Sequence, residues 1–341
     1  MAQGLTEFIA RLVRREDLSR DEAEQLLESL LDVEATDAQI AAALVALAAK
    51  GETVDELTGM ASGLRARAVR VNAAHSCFID TAGTGSSRAK TFNISTAAAF
   101  VIAGAGLPVA KHGNRAASSK SGSADLLTAL GVNVSAIPEV SENSLNEIGI
   151  CFMFAPLYHG ATARVAGIRR QLGIHTTFNL LGPLSNPAGA PRQIIGVFRH
   201  DLAERLARVL AALGTEHAWV VHGEDGLDEI TLAGRTYVAE ARNGEVRTFE
   251  IAPEDFGLEV RELEHLRGGD TEANAAIVRA VLEGKRNDEA RALVIVTAAA
   301  ALLLGGIVTD LREGAARAAE AIDSGAALGK LERLIQATNT A

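Results

Sequence analysis

A change of periodicity near residue 77 constrains the fold more than any other feature of the chain. The first seventy residues carry apolar positions at helical spacing and no strand signal. Leu5, Phe8, Ile9, Leu12 and Val13 share one helical face, as do Ala23, Leu26, Leu27, Leu30 and Leu31. Three helix starts place Glu or Gln three residues after Ser or Thr: Ser19 with Glu22, Thr36 with Gln39, and Thr53 with Glu56. At that spacing the hydroxyl accepts from a free backbone N–H while the longer side chain reaches back to the cap. The expectation is a helical lobe over residues 1–70 of about four helices, joined by helices near 162–185.

From residue 77 onward, "CFID", "PVAKHG", "ICFMFAP", "RQIIGVF" and "AWVVHG" read as buried strands. Helical stretches are expected near 95–105, 123–131, 162–172 and 201–213. After residue 228 "EITLAG", "RTYVAEAR" and "EVRTFEI" alternate as strands, with Asn243-Gly244 as a type I′ hairpin signal. The tail returns to helices around 273–284, 287–304 and 311–337. The fold class is therefore α/β: a small N-terminal helical lobe and a larger α/β lobe over residues 77–341, with a mixed, mostly parallel sheet.

Composition narrows the function. The 341 residues exceed what one core usually spans, roughly 250–300 residues, so two lobes are natural. A net charge of −10 and 4% aromatics, with one Trp, argue against a nucleic-acid partner, which needs a cationic face or stacking platforms. The longest apolar run, "LVIVTAAAALLLGGIV", is shorter than the roughly 20 residues of a membrane span, so no membrane partner is expected. Glu7, Arg11, Arg14 and Arg15 interrupt the N-terminal stretch, which points to a cytoplasmic protein. Cys77 and Cys151 lie in apolar strand-like runs and read as small core residues.

Four stretches carry chemistry. "DTAGTGSSRAKTFNIST", residues 80–96, is a glycine-rich turn between a strand and a helix, where backbone N–H groups and the helix dipole favour phosphate. It is neither a Walker loop nor a dinucleotide fingerprint, and such turns are common in α/β proteins. "KHGNRAASSKSGSAD", residues 111–125, adds Lys111, Arg115 and Lys120 with His112 and four serines, which suits a ligand with several phosphates. "HGEDGLDEIT", residues 222–231, puts Asp228 and Glu229 at a strand end behind Glu224 and Asp225; such carboxylates suit Mg²⁺ shared with substrate phosphate. Residues 154–189 mix Tyr158, His159, Arg164, Arg169 and Arg170 with the turn "LGPLSNP". Arg169 and Arg170 point about 100° apart on a helix, so one of them at most faces a pocket; an arginine is the usual partner of a carboxylate. The residues by themselves reach a polyphosphate ligand with a metal and an acidic co-substrate.

The chain resembles the anthranilate phosphoribosyltransferases of tryptophan biosynthesis, which have a nucleoside-phosphorylase-like fold. The resemblance is carried by GTG at 83–85, NIST at 93–96, KHGNR at 111–115, SSKSGSADLL at 118–127, FAP with His159, IRRQLG at 168–173, FNLLGPLSNPA at 178–188 and DEIT at 228–231. It implies that phosphoribosyl pyrophosphate and Mg²⁺ bind between the lobes, that anthranilate enters nearby, and that the helical lobe forms a homodimer. Phosphoribosyl pyrophosphate is then expected at Gly83, Ser86, Ser87, Arg88, Lys90, Thr91, Asn93, Ile94, Ser95, Thr96, Lys111, His112, Gly113, Asn114, Arg115, Ala116, Ala117, Ser118, Ser119 and Ser123. The resemblance implies Ser95, Asp228 and Glu229 for the metal, and Gly83, Asn114, His159 and Arg169 for anthranilate. His112, Asn114 and Arg169 are expected to position substrate, and no residue acts as a nucleophile.

Two departures stand out. Where the family usually continues GTG with Gly-Asp-Gly, this chain has Ser86, Ser87 and Arg88, followed by Ala89 and Lys90, so Arg88 or Lys90 is expected to meet the pyrophosphate. Gly160, Arg164 and Gly167 differ from the usual residues on the acceptor side. Another aromatic acceptor, or a non-catalytic nucleic-acid-binding relative, is the alternative reading.

Overall fold

The computed structural model describes residues 4–85, 91–116, 121–263, 266 and 268–340. All three capping-box starts form: Ser19, Thr36 and Thr53 open α2 (Arg20–Leu31), α3 (Asp37–Lys50) and α4 (Val54–Arg67), behind α1 (Leu5–Val13). In each, the hydroxyl accepts from the third helical N–H and that residue's side chain caps in return.

Among the described residues seven strands make one sheet: β1 (Ile79–Gly83), β2 (Val109–Gly113), β3 (Ile150–Phe154), β4 (Arg192–Gly196), β5 (His217–Gly223), β6 (Thr236–Arg242) and β7 (Glu245–Ile251). Their order is β3-β2-β1-β4-β5-β6-β7, parallel through β5 and antiparallel beyond. The Asn243-Gly244 hairpin turn has φ of 51° and 85°, the double positive φ of a type I′ turn. Between the strands lie α5 (Ile94–Gly104), α6 (Ser123–Ala129), α7 (Pro138–Ile148), α8 (Ala155–Tyr158), α9 (Ala163–Leu172), α10 (Thr177–Leu184) and α11 (Asp201–Ala212). The chain closes with α12 (Thr271–Leu282), α13 (Glu289–Leu304), α14 (Leu311–Asp323) and α15 (Ala326–Asn339).

Period-two alternation sends neighbouring strand residues into different cores. Ile194, Trp219, Val221 and Val238 join the core under α5, α6 and α12–α15, whereas Ile195, Ala218, Val220 and Ala239 join the one shared by α1–α4 and α9–α11. The longest apolar run of the sequence is explained here: α13 is buried on nearly every side. Among the described residues no helix is long and apolar enough to cross a membrane.

Three expectations differ. "EITLAG" is a turn, because Thr231 N donates to Thr236 Oγ1 at 3.0 Å and Ala233 N to Thr231 Oγ1 at 3.0 Å, so side chains occupy backbone groups a ladder would use. The expected helix over 311–337 breaks at Gly325, whose φ is 75°. Gly182 to Leu184 of the "LGPLSNP" turn belong to α10, which carries Pro183 in its last turn.

The chain runs β1, β2, β3 to one side and then returns to build β4 and β5 on the other. The strand order therefore switches between β1 and β4, the point at which open α/β sheets hold their ligand crevice, beyond the carboxyl ends of the strands.

Candidate active site

At the switch point between β1 and β4 the acidic turn meets residues 83–85, the start of the first glycine loop. The turn after β5 packs so closely on the end of β4 that a Cβ on Gly196 would stand 1.7 Å from Asp228 O, and one on Gly83 would stand 3.9 Å from Asp228 Oδ2. Thr84 N donates to Gly196 O at 2.9 Å, which holds the loop after β1 against β4. Next in the chain, Glu229 Oε1 accepts from Ser95 N, in the first turn of α5, at 3.2 Å. Glu229 keeps some solvent contact, yet the protein packed around it, and then Asp228, push its carboxyl up to about 8, against Lys111 and Ser95. Two neighbouring carboxylates of which one resists ionisation form a site that a cation would relieve. Asp225 and Glu224, by contrast, are spent on the turn itself.

A buried charge set underlies the crevice. Asp80, in β1, is fully buried; its Oδ1 accepts from His112 N at 3.1 Å and its Oδ2 from Asn186 Nδ2 at 2.7 Å. Burial raises its carboxyl to about 6, while Lys111 and Asn186 oppose the rise. Lys111 is 4% exposed and its ammonium donates to Thr81 O, so it braces β1 instead of reaching toward solvent. Burial lowers its pKa, and Asp80 and Glu229 counter that. Thr81 Oγ1 passes the tie onward to Ser95 O at 3.0 Å.

The second phosphate-type loop closes on Asp125. Its carboxylate accepts from Ala116 N at 2.9 Å and Gly122 N at 3.0 Å, and pairs with Arg115 at 2.9 Å. Arg115 also lies over the Phe154 ring at 5.7 Å. Asn114 is exposed; its carbonyl accepts from Ala124 N at 3.2 Å and Ser123 Oγ at 3.4 Å.

Helix α10 organises the opposite wall. Asn179 Oδ1 accepts from Arg169 Nη2 at 3.0 Å, and Gly182 O meets His112 Nδ1 at 3.2 Å. These two positions are three apart and share one helix face, so Arg169 and His112 hang from the same side of α10. The Arg169 guanidinium sits 5.6 Å above the Phe178 ring, its buried Nε has no partner, and none of the described carboxylates pairs with it. Burial lowers its pKa. The rings of His112 and His159 meet tilted by 58° with centroids 5.2 Å apart, and the Nε2 of each is buried without a partner. Burial, then His159, lowers His112 to about 3, and burial lowers His159 too, so both rings are neutral at pH 7. A carbonyl only accepts, so His112 carries its proton on Nδ1 and leaves an open lone pair on Nε2.

Residues 6–68 match the glycosyl transferase family's helical bundle domain, and residues 75–328 match the same family's a/b domain. The anthranilate phosphoribosyltransferase of Anaeromyxobacter dehalogenans is 55% identical over 97% of this chain and 97% of that protein. The chain belongs to the anthranilate phosphoribosyltransferase family. Among solved structures, the anthranilate phosphoribosyltransferase of Thermus thermophilus superposes with a TM-score of 0.90 at 39% identity, over 97% of this chain and 99% of that one. The Saccharomyces cerevisiae enzyme, solved in complex with PRPP and Mg, gives 0.90 at 28% identity over 99% and 98%.

For this family member, several expected residues lie together at the crevice: Gly83, Asn93, Ser95, Asp228 and Glu229 on one wall, and His112, His159 and Arg169 toward α10. Thr91 and Gly113 are partly open, as is Ser123. Ile94 and Thr96 are 1% exposed and turn their side chains into the core, and their N–H groups already donate to Phe92 O and Asn93 O. The free helix-end donors expected there are thus taken up by the chain, and Lys111 is a brace instead of an exposed cation. Ser86, Ser87, Arg88 and Lys90, and Ala117, Ser118 and Ser119, lie outside the described residues. Arg164 is corrected: it pairs with Asp37 Oδ1 at 2.7 Å and Val33 O at 3.2 Å, tying α9 to the helical lobe, while Arg170 is exposed. Asp80 and Asn186 were missed. Asp80 carries a signal, an acid inside the apolar strand "CFID", which must find partners if buried.

Proposed function

We infer that the protein transfers the phosphoribosyl group of phosphoribosyl pyrophosphate to the amine of anthranilate, giving N-(5-phosphoribosyl)anthranilate and pyrophosphate in tryptophan biosynthesis. The observation that carries this is the meeting of two chemistries in one crevice: an acidic pair beside two phosphate-type loops, and an unpaired, half-buried arginine beside two neutral histidines. The amine nitrogen bonds to C1 of the ribose, the C1–oxygen bond to pyrophosphate breaks, and the amine gives up a proton. Such a reaction needs positioning and charge neutralisation, not a protein nucleophile.

The roles follow from the geometry. Arg169 would hold the anthranilate carboxylate, and Asn114, Gly83 and His159 are the further residues proposed to meet anthranilate. His112 Nε2 offers an acceptor to the amine; with a pKa of about 3 it is too weak a base to take the proton outright, so it orients the amine. Asp228, Glu229 and Ser95 would hold Mg²⁺, as their raised carboxyl and shared position suit; bound there, the ion would offset the charge of the departing pyrophosphate. Arg115 and Ser123, at the two ends of the segment that Asp125 ties together, would meet the donor's phosphates.

The test is loss of anthranilate fluorescence with phosphoribosyl pyrophosphate and Mg²⁺ present. Depletion that requires both supports the reading; consumption of phosphoribosyl pyrophosphate only with a different aromatic amine would replace the acceptor. We propose too that the protein works in the cytoplasm as a homodimer through the helical lobe, where Val13, Val33 and Val45 stand 69%, 89% and 41% exposed. Sedimentation velocity of Val33→Glu against the parent chain tests the dimer.

A further inference from the structure

Asn93 stands at the start of α5 but does not cap it with its side chain. Instead its Nδ2 donates to Ser121 O at 3.2 Å, across to the β2–α6 loop, and its Oδ1 accepts from Asn274 Nδ2 at 3.4 Å. Asn274 belongs to α12, is 4% exposed, and accepts the Gly269 N–H on its own Oδ1 at 2.9 Å. The four groups form a line with a backbone donor at one end and a backbone acceptor at the other.

The direction of that line is forced. An asparagine amide has nearly the same shape either way round, so its partners decide which end is oxygen. Gly269 N–H can only donate, and Asn274 must therefore turn its oxygen there and its NH₂ toward Asn93. Asn93 must meet that donor with Oδ1, which leaves its NH₂ on the side of Ser121 O, where the carbonyl can only accept. One Nδ2 hydrogen is used on Ser121; the other remains for a ligand between the two phosphate-type loops. The supply of the Gly269 donor is built in as well. A Cβ on Gly268 would fall 2.3 Å from Thr91 O and 3.1 Å from Phe92 N, so only glycine lets this segment lie against the chain entering α5.

We propose that Asn274 is a positioning residue for phosphoribosyl pyrophosphate: it sets the direction of the Asn93 amide so that a donor, not an acceptor, faces the anionic ligand. The inference rests on the donor side of the functional reading above. A reversed Asn93 would present a carbonyl oxygen to phosphate and would face Ser121 O with a second acceptor, so the two loops would lose their tie.

Steady-state kinetics of Asn274→Asp and Asn274→Leu, each alone and combined with Asn93→Ala, test it. Aspartate still accepts from Gly269 but cannot donate to Asn93; leucine keeps similar bulk without charge or polarity. KM for phosphoribosyl pyrophosphate is expected to rise about tenfold for Asn274→Asp and about threefold for Asn274→Leu, with KM for anthranilate unchanged and the melting temperature lowered by only a few degrees. In the Asn93→Ala background either change adds less than about twofold, because its target is gone. KM within about twofold of the parent in both variants overturns the inference, as does full additivity with Asn93→Ala. Failure of both variants to fold also overturns it, since the residue is then structural. Titration of the parent protein with phosphoribosyl pyrophosphate separates the levels: no binding sinks the functional reading and this inference together, whereas an active parent with unaffected variants sinks the inference alone.

Discussion

The two walls of the crevice satisfy their polar groups in opposite ways. On the phosphate wall, the chain answers almost every described donor and acceptor itself: Ser95 N by Glu229, Thr96 N by Asn93 O, Lys111 by Thr81 O, and Ala116 N and Gly122 N by Asp125. On the α10 wall, His112 Nε2, His159 Nε2 and Arg169 Nε are buried and unanswered. Buried polar atoms without partners cost free energy unless something binds them. The contrast teaches that the α10 wall keeps open polar atoms while the other wall is a scaffold whose described groups are already spent, which is why the proposed acceptor site lies on the first and the proposed phosphate and metal site must rely on side chains.

Changes on each wall sharpen or break this contrast. The largest effect is expected from Asp228→Ala with Glu229→Ala: a fall in kcat of about 10²–10³, with added Mg²⁺ no longer raising the rate, read from a metal titration. If the double variant keeps the parent's Mg²⁺ dependence, the acidic pair is not the metal site. Next is Arg169→Ala, expected to raise KM for anthranilate by about 10- to 100-fold with KM for phosphoribosyl pyrophosphate unchanged. A rise in both would mean that the walls are not separate.

The pH dependence of stability checks the neutral histidines. His112 is held at about 3 in the folded chain against about 6.5 unfolded. Between those values the unfolded chain binds the extra proton, so stability drops as pH falls from about 6.5 toward 3, by up to about 1.4 kcal/mol per unit. Denaturant titrations at pH 7, 6 and 5 should show this slope reduced in His112→Asn relative to the parent; equal slopes would mean that the ring is not buried neutral. The smallest effect belongs to Arg164→Ala. Its partly exposed ion pair with Asp37 is worth roughly 0.2–1 kcal/mol, and anthranilate kinetics should not change. A changed acceptor preference would return Arg164 to the pocket.

How much of this was legible in advance depends on the range of the forces involved. Capping boxes act over three residues, and all three were readable; the same holds for the Asn243-Gly244 turn, whose residue types state their φ angles. "EITLAG" misled because its alternation is genuine while the hydroxyls of Thr231 and Thr236 claim the backbone N–H groups of Ala233 and Thr231. Lys111 misled for a related reason. A lysine in a glycine-rich loop suggests an exposed phosphate donor, but here the loop's first residues belong to a central parallel strand, so the side chain is buried and must find partners inside. Arg164 and Arg169 look alike on α9, and which of them faces the helical lobe and which the pocket follows from the facing of a helix packed between two bodies.

The sequence by itself determined the local elements, the two textures of the chain, and the motif set that marks a phosphoribosyl-transferring family, because each depends on residues close together and on residue type. Only the tertiary structure decided which donors remain open. That choice depends on contacts between residues far apart in the chain, such as Asp80 with Asn186, Ser95 with Glu229 and Asn93 with Asn274. A polar group satisfied by such a distant partner is part of the scaffold, and one left unsatisfied in a buried wall is where a ligand is expected to bind.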